Sequence, residues 1–402
     1  MSPDGVLGGL RLVELGRGVS AAYCTKLFAD LGAEVIKVEP PAGDVLRRRG
    51  PFAGDEPGPE RSGLFAYMNT SKLGVTLDVR DERGRALLLE LLRDADVLVE
   101  NNAPGWLRDA GLGYEELAAA NPTLVVTSIT PFGQDGPWRD YAGNDFIVQH
   151  TSGVAFHNGA RARDLDAEPP FVIPGDMAET LSGMAAASAT LCALYAGDGG
   201  AHVDVAMQEV LAMHLQLDVV WVTYGGQVPS RSADARPPIP YVAQQPVADG
   251  YIDFVVRTEG QWHKFLEVLD NPEWGENELF RDMRSRSQYW DALEPLVQQE
   301  TRRFQKQELF RRSQAHGVSA AAVHTVAEAA QAEHFADRGS FAELEHPIIG
   351  RTRCPGAPVR FTGDAWQLGP APLLGQHNRQ VFVERLGHSD QELASLREAG
   401  VV

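Results

Sequence analysis

Cysteine is scarce in this chain, and acids outnumber cations. The three cysteines among 402 residues, Cys24, Cys192 and Cys354, lie far apart and form no CxxC pair. They argue against a disulfide frame and for reduced, buried thiols in a cytoplasmic protein. Lys and Arg number 36 against 55 Asp and Glu, a formal charge of -19. A surface that acidic repels phosphate backbones, so neither nucleic acid nor an anionic membrane is expected as a partner. An anionic small ligand would need a local basic patch. The uncharged stretch 181–197 is short for a bilayer span and rich in Ala, Ser and Gly, and reads as a buried helix. The opening MSPDGVLGGL has no basic region followed by an apolar one, so no signal peptide is expected.

Several catalytic signatures are missing too. There is no GxxxxGK[ST] and no GxGxxG after a strand, so the loops do not resemble phosphate cradles of those kinds. HExxH and GxSxG are absent as well. His150 and His157 flank a glycine and read as loop or packing residues rather than ligands, and no metal is expected. Any chemistry then rests on carboxylates, amides and backbone.

What is present begins with an alternation. LRLVEL (10–15) and EVIKVE (34–39) flank a helical pattern at 19–32, while DVLVEN (96–101) and TLVVTSI (123–129) each follow a further helix. Strand and helix at these spacings predict βαβ units in a mostly parallel sheet with helices on both faces. In such α/β folds ligands bind at the carboxyl ends of the strands. That points to the loops after Glu14, Glu39, Glu100 and Ile129. The Gly-, Ser- and Pro-rich stretch 225–240 reads as a linker or mobile loop. It divides a large unit, 1–225, from a smaller α+β unit, 226–335, with 336–402 remaining.

Two carboxylates stand out. In FVIPGDMAETLSGM (171–184), Asp176 follows a Pro-Gly turn and precedes Glu179 by three residues, close to the capping-box pattern. In GNDFIVQHTSG (143–153), Asp145 follows a glycine and reads locally as a turn residue. Arg47, Arg48 and Arg49 read as a solvated basic edge, yet they follow a strand's carboxyl end, where a polyphosphate could sit. ENNAPGW (100–106) places two amides and a Pro-Gly turn after a strand.

Taken in order, GLRLVELGRGVSAAYCTKLFADLGAEVIKVEPPAGDVLR, NTSKLGVTLDVRDERGRALLLELLRDADVLVENNAPGWL, GLGYEELAAANPTLVVTSITPFGQDGP, PGDMAETLSGMAAASATLCAL, HVDVAMQEVL and APLLGQH cover most of the chain. They resemble the class III CoA-transferases, a family that also holds formyl-CoA transferase, carnitine CoA-transferase and the α-methylacyl-CoA racemases. The resemblance implies a Rossmann-like large domain built from both termini, with 336–402 completing it, and a dimer of two interlocked rings. It implies CoA transfer from an acyl-CoA donor to a carboxylic acid, with no cofactor beyond coenzyme A as substrate. Asp176 aligns with the family's nucleophile, which forms aspartyl–acyl anhydride and aspartyl–CoA thioester intermediates. Asp145 aligns with an acid near the reacting carbonyl. Val19, Leu77, Arg80, Asn101, Asn102 and Ala103 align with CoA-contacting stretches.

The chain departs from the family pattern in places. Arg108 falls one place early, with Asp109 where the family's Arg stands; 231–250 has no glycine run; and Gln376 replaces a Glu. Two alternatives accompany the transferase reading. One is an α-methylacyl-CoA racemase, which needs a His where this chain has Asn144. The other is a catalytically silent subunit of a heteromeric transferase.

Overall fold

In the computed structural model of the chain, which describes residues 5–158, 164, 167–197, 199–229, 231, 242–362 and 366–402, the apolar runs become strands of one parallel sheet. The strands are β1 (Arg11–Leu15), β2 (Glu34–Glu39), β3 (Leu73–Thr76), β4 (Val97–Glu100), β5 (Val125–Thr130) and β6 (Ala201–Ala206). Their order is β3-β2-β1-β4-β5-β6, and every neighbouring pair is parallel. A sheet covered on both faces takes continuous Val, Ile and Leu runs, because neither face meets water. Helices α1 (Val19–Asp30), α2 (Gly63–Met68), α3 (Glu82–Leu92), α4 (Trp106–Asp109), α5 (Tyr114–Ala120), α6 (Asp145–Thr151), α7 (Val154–His157) and α8 (Met177–Ala196) connect the strands. One face packs on Leu87, Leu88 and Leu91 of α3 with Val381 and Phe382; the other packs on Cys24 and Phe28 of α1 and Ala178 and Ala186 of α8.

The winding reverses between β1 and β4. The crevice outside their carboxyl ends is therefore the topological switch point, where doubly wound sheets bind ligands.

The chain divides into two compact units, one formed mainly by residues up to 228 together with 339–402, the other by the described part of 229–338. The second unit has its own antiparallel sheet of β7 (Gln245–Val247), β8 (Gly250–Val255) and β9 (Ser319–Ala322), and its own core around Trp262, Phe265, Leu293 and Val297. Much of the 225–240 linker, and of the stretch lacking a glycine run, lies outside the described residues.

Within the first unit the late chain closes the outer edge of β3. The His377 ring accepts from the Gly74 N–H (2.9 Å), the His377 N–H donates to the Gly74 carbonyl (2.9 Å), and the Asn378 side chain accepts from the Thr76 N–H (2.8 Å). Gly74 is required there, since a Cβ would lie 2.7 Å from Pro372.

The expectation of a buried helix over 181–197 needs correction. Helix α8 buries one face, Ala178, Ser182, Gly183, Ala186, Ala187 and Thr190, against α1 and the sheet, and leaves Met184, Leu191 and Tyr195 exposed. Its small residues permit the close approach: a Cβ on Gly183 would meet the Ser20 carbonyl at 2.7 Å. The uncharged remainder has nothing within the described chain to cover it.

Candidate functional site

The switch-point loops are stitched together by amides. The Asn101 side chain accepts from the Arg17 N–H (2.7 Å) and donates to the Arg17 carbonyl (2.6 Å) and Ser20 Oγ (2.9 Å). Asn102 donates to the Leu15 carbonyl (3.1 Å), while its N–H is held by the Glu100 carboxylate (2.7 Å). An open groove of about 890 Å3, its mouth included, lies alongside, lined by Leu77, Arg80, Asn102 and Trp106 among others. Arg17, Arg48 and Arg80 also line it, against the single acid Asp78. This is a local basic patch on an acidic chain. Arg80 is exposed and clamped bidentately by Asp78 at 2.9 and 2.8 Å, so an anion that takes Arg80 must compete with that carboxylate.

Beneath the groove lies a buried ion network. Glu14 binds Lys37 at 2.7 Å and Lys72 at 2.8 Å; Lys37 also reaches Asp44 at 2.8 Å, all four fully buried or nearly so. Burial alone would raise the Glu14 carboxyl, but the two ammonium groups outweigh it and hold it at about 2. Burial wins at Lys72, which is lowered to about 8 despite Glu14. Asp44 in turn accepts from the N–H groups of Leu46 (2.8 Å) and Gly18 (3.2 Å), which ties the network to the turn that opens α1.

The three adjacent arginines part company here. Arg47 is buried and paired with Glu39 and Glu60, which removes it as a phosphate ligand. Arg48 donates to the Ala42 carbonyl at the groove's edge. Arg49 reaches the Asp176 carboxylate, at 2.8 and 3.1 Å.

Asp176 occupies the N-cap position of α8, yet its side chain caps nothing. Its backbone is left-handed (φ 53°, ψ 43°), whereas a capping residue needs an extended one to swing its oxygen onto the first turn. A non-glycine residue held there carries strain, which tends to persist where function requires it. The cap comes from Asp145, whose Oδ1 accepts from the Ala178 N–H (2.7 Å) and the Glu179 N–H (3.2 Å). Gln149 fixes Asp145 by donating to its other oxygen (2.7 Å), and holds the loop before Asp176 through both the N–H and the carbonyl of Ile173. Glu179 does not complete a capping box either. It accepts from the Val19 (2.9 Å) and Ser20 (3.2 Å) N–H groups and so caps α1. Burial pushes the Glu179 carboxyl above its ordinary range, with Asp176 and Asp145 adding to the rise and the two N–H groups opposing it.

Comparison with known proteins bears directly on this arrangement. The sequence model of CoA-transferase family III matches residues 7–378. The chain belongs to CoA-transferase family III. It is 33% identical, over 98% of its length and 97% of theirs, to the BbsE subunit of succinyl-CoA:(R)-benzylsuccinate CoA-transferase of Thauera aromatica. It is 30% identical to succinyl-CoA–D-citramalate CoA-transferase of Chloroflexus aurantiacus, over 100% of this chain and 99% of that one. A CAIB/BAIF family protein from Brucella suis has the same architecture, with a TM-score of 0.83 and 30% identity over 95% of this chain and 99% of that one.

Within this CoA-transferase family III chain, Leu77, Arg80 and Asn102 share one groove, with Asn101 in the adjoining loop. Ala103 lines a neighbouring hollow of about 600 Å3 beside Arg108 and Arg139. Val19 is fully buried and its N–H is committed to Glu179, so any part it plays is indirect. Arg108 pairs with Asp109 at the surface (3.3 Å). The Gln376 side chain accepts from the Leu373 N–H (2.8 Å). His150 lies exposed against Phe146, and Asn144 caps α6 by accepting from the Ile147 N–H (3.1 Å). The His157 side chain is outside the described ones. Among the described residues, no three or more His, Cys, Asp or Glu are grouped to hold a metal ion.

The roles of three residues of this site escaped the sequence reading: Arg49, Gln149 and Glu179. Arg49 was visible as part of a basic run and Glu179 as half of a local cap. Gln149, a lone amide in a helical pattern, carried no signal.

Proposed function

We propose that this protein transfers coenzyme A from an acyl-CoA donor to a free carboxylic acid, with Asp176 as the nucleophile. The observation that carries the reading is the division of labour at the start of α8. Asp145 satisfies the helix, so the Asp176 carboxylate is left partly exposed, with Arg49 paired to it. In the first step an Asp176 oxygen attacks the thioester carbonyl; the C–S bond breaks and the thiolate leaves, giving an aspartyl–acyl anhydride. The thiolate then attacks the aspartyl carbonyl and expels the donor acid as a carboxylate, leaving an aspartyl–CoA thioester. The acceptor carboxylate reverses both steps, so thioester energy is conserved and no proton needs to move. Coenzyme A would occupy the switch-point groove at Leu77, Arg80 and Asn102, with Asn101 in the adjoining loop and Ala103 in the neighbouring hollow, while Val19 acts only indirectly from beneath. Asp145 is a positioning residue that fixes the helix start.

The experiment is incubation of the chain alone with succinyl-CoA, the donor named for two of its relatives, and a panel of carboxylic acids in deuterated water. A new acyl-CoA with no deuterium at its α-carbon is expected. Deuterium without exchange would favour the racemase reading, against which Asn144 already stands as a helix cap lacking any basic atom. Neither outcome would point to a silent subunit.

We also propose that the working form is a homodimer. The helix Gln216–Gly225 exposes Leu217, Val219, Val220, Trp221 and Tyr224, and α8 exposes Tyr195, large apolar side chains of the kind a second copy would cover. Sedimentation should give twice 43.7 kDa; a folded, active species at the single-chain mass would overturn this.

A further inference from the structure

We infer that Arg49 is the carboxylate receptor of the reaction: it holds Asp176 in the free enzyme and takes the substrate's carboxylate once Asp176 is acylated. The inference rests on the nucleophilic reading of Asp176 and extends it to the acid substrates. Of the three neighbouring arginines, Arg47 is locked in a buried network with its side chain 1% exposed, while Arg49 is 47% exposed and within reach of a diffusing acid. Its guanidinium grips both oxygens of Asp176.

Conversion of Asp176 to the CoA thioester removes that negative charge. A half-exposed guanidinium is then left without its anion beside the carbonyl carbon under attack. The acceptor acid must bring a carboxylate oxygen to about 3–3.5 Å of that carbon. A planar guanidinium offers two parallel N–H donors to such a group. In the step so assisted, the acid's oxygen forms a C–O bond to the aspartyl carbonyl while the C–S bond breaks and the electron pair leaves on CoA thiolate. In reverse, the same guanidinium receives the departing donor acid. The helix start offers less: the Ala178 and Glu179 N–H groups are already taken by Asp145. Because the carboxylate bound is the reacting one, the role applies to monocarboxylic and dicarboxylic acids alike.

The rival is a surface ion pair with no part in turnover, of the kind whose loss usually changes little. Arg49→Gln and Arg49→Lys separate the two. The Gln variant should raise the KM for the acceptor acid by about 10- to 100-fold, the loss expected for charged hydrogen bonds, with the KM for the acyl-CoA near the wild-type value. The Lys variant, with the charge but not the fork, should recover part of the loss. Hydroxylamine with donor acyl-CoA should still convert Asp176 to a hydroxamate in Arg49→Gln, which shows that fold and nucleophile survive. An unchanged KM for the acid in that variant would overturn the inference. Absence of the hydroxamate in the wild type would instead overturn the nucleophilic reading on which it rests.

Discussion

Asp176→Asn should lose nearly all CoA transfer and remain as folded as the wild type. The two halves of this result have separate causes. An amide cannot become an anhydride or a thioester by the exchange proposed, so activity goes. Stability stays because Asp176 donates nothing to the helix: its side chain makes no cap bond, and the cap is supplied by Asp145. Asn also tolerates the left-handed backbone that Asp176 adopts, better than most residues. The remaining loss is one partly exposed ion pair to Arg49, of about 0–1 kcal/mol. Kinetics with a donor and acceptor pair, beside thermal unfolding, read both quantities. A variant that turns over at the wild-type rate would show that Asp176 is not the nucleophile.

Lys37→Met should be the most damaging change to stability, by about 3–5 kcal/mol, the usual result of removing one partner from a buried ion pair. Lys37 is wholly buried between Glu14 and Asp44, and its loss leaves two carboxylates short of a cation in a dry interior. Asp44 also supports the Gly18 N–H, so the turn into α1 should loosen and acyl-CoA binding weaken with it. Acid should strike the same network from the other side. The Glu14 carboxyl is lowered from 4.5 to about 2, so its stabilising contribution is fully present above pH 4.5 and is lost as pH falls through 2. Urea unfolding at fixed protein concentration, at neutral pH and at stepped acid pH, measures both. Equal midpoints for Lys37→Met and wild type would refute the account.

The contrast between these two sites explains what could be read from residues alone. Strands β1, β2, β4 and β5 were legible because a sheet covered on both faces demands short, unbroken apolar runs. The charges inside them were visible too, but not their partners: Glu14 meets Lys72 across 58 positions of chain. Asp176 looked like a cap because capping patterns are local, whereas the true cap, Asp145, serves an N–H 33 residues further on. Arg47, Arg48 and Arg49 were indistinguishable as a run, since three successive side chains on a short turn point three ways. Helix α8 looked buried because it is uncharged, but absence of charge says nothing about which surface covers it.

The closure of β3 by His377 and Asn378 has a consequence for the order of events in a cell. Thr76 and the Asn378 that completes its edge are 302 residues apart. At about 5–20 residues per second, a ribosome needs roughly 15–60 s to cover that distance. For that interval the nascent sheet offers an open strand to any neighbouring edge, the geometry from which aggregation and strand exchange begin. Synthesis of this protein therefore includes a timed exposure of β3, whose length is set by where His377 and Asn378 fall in the message.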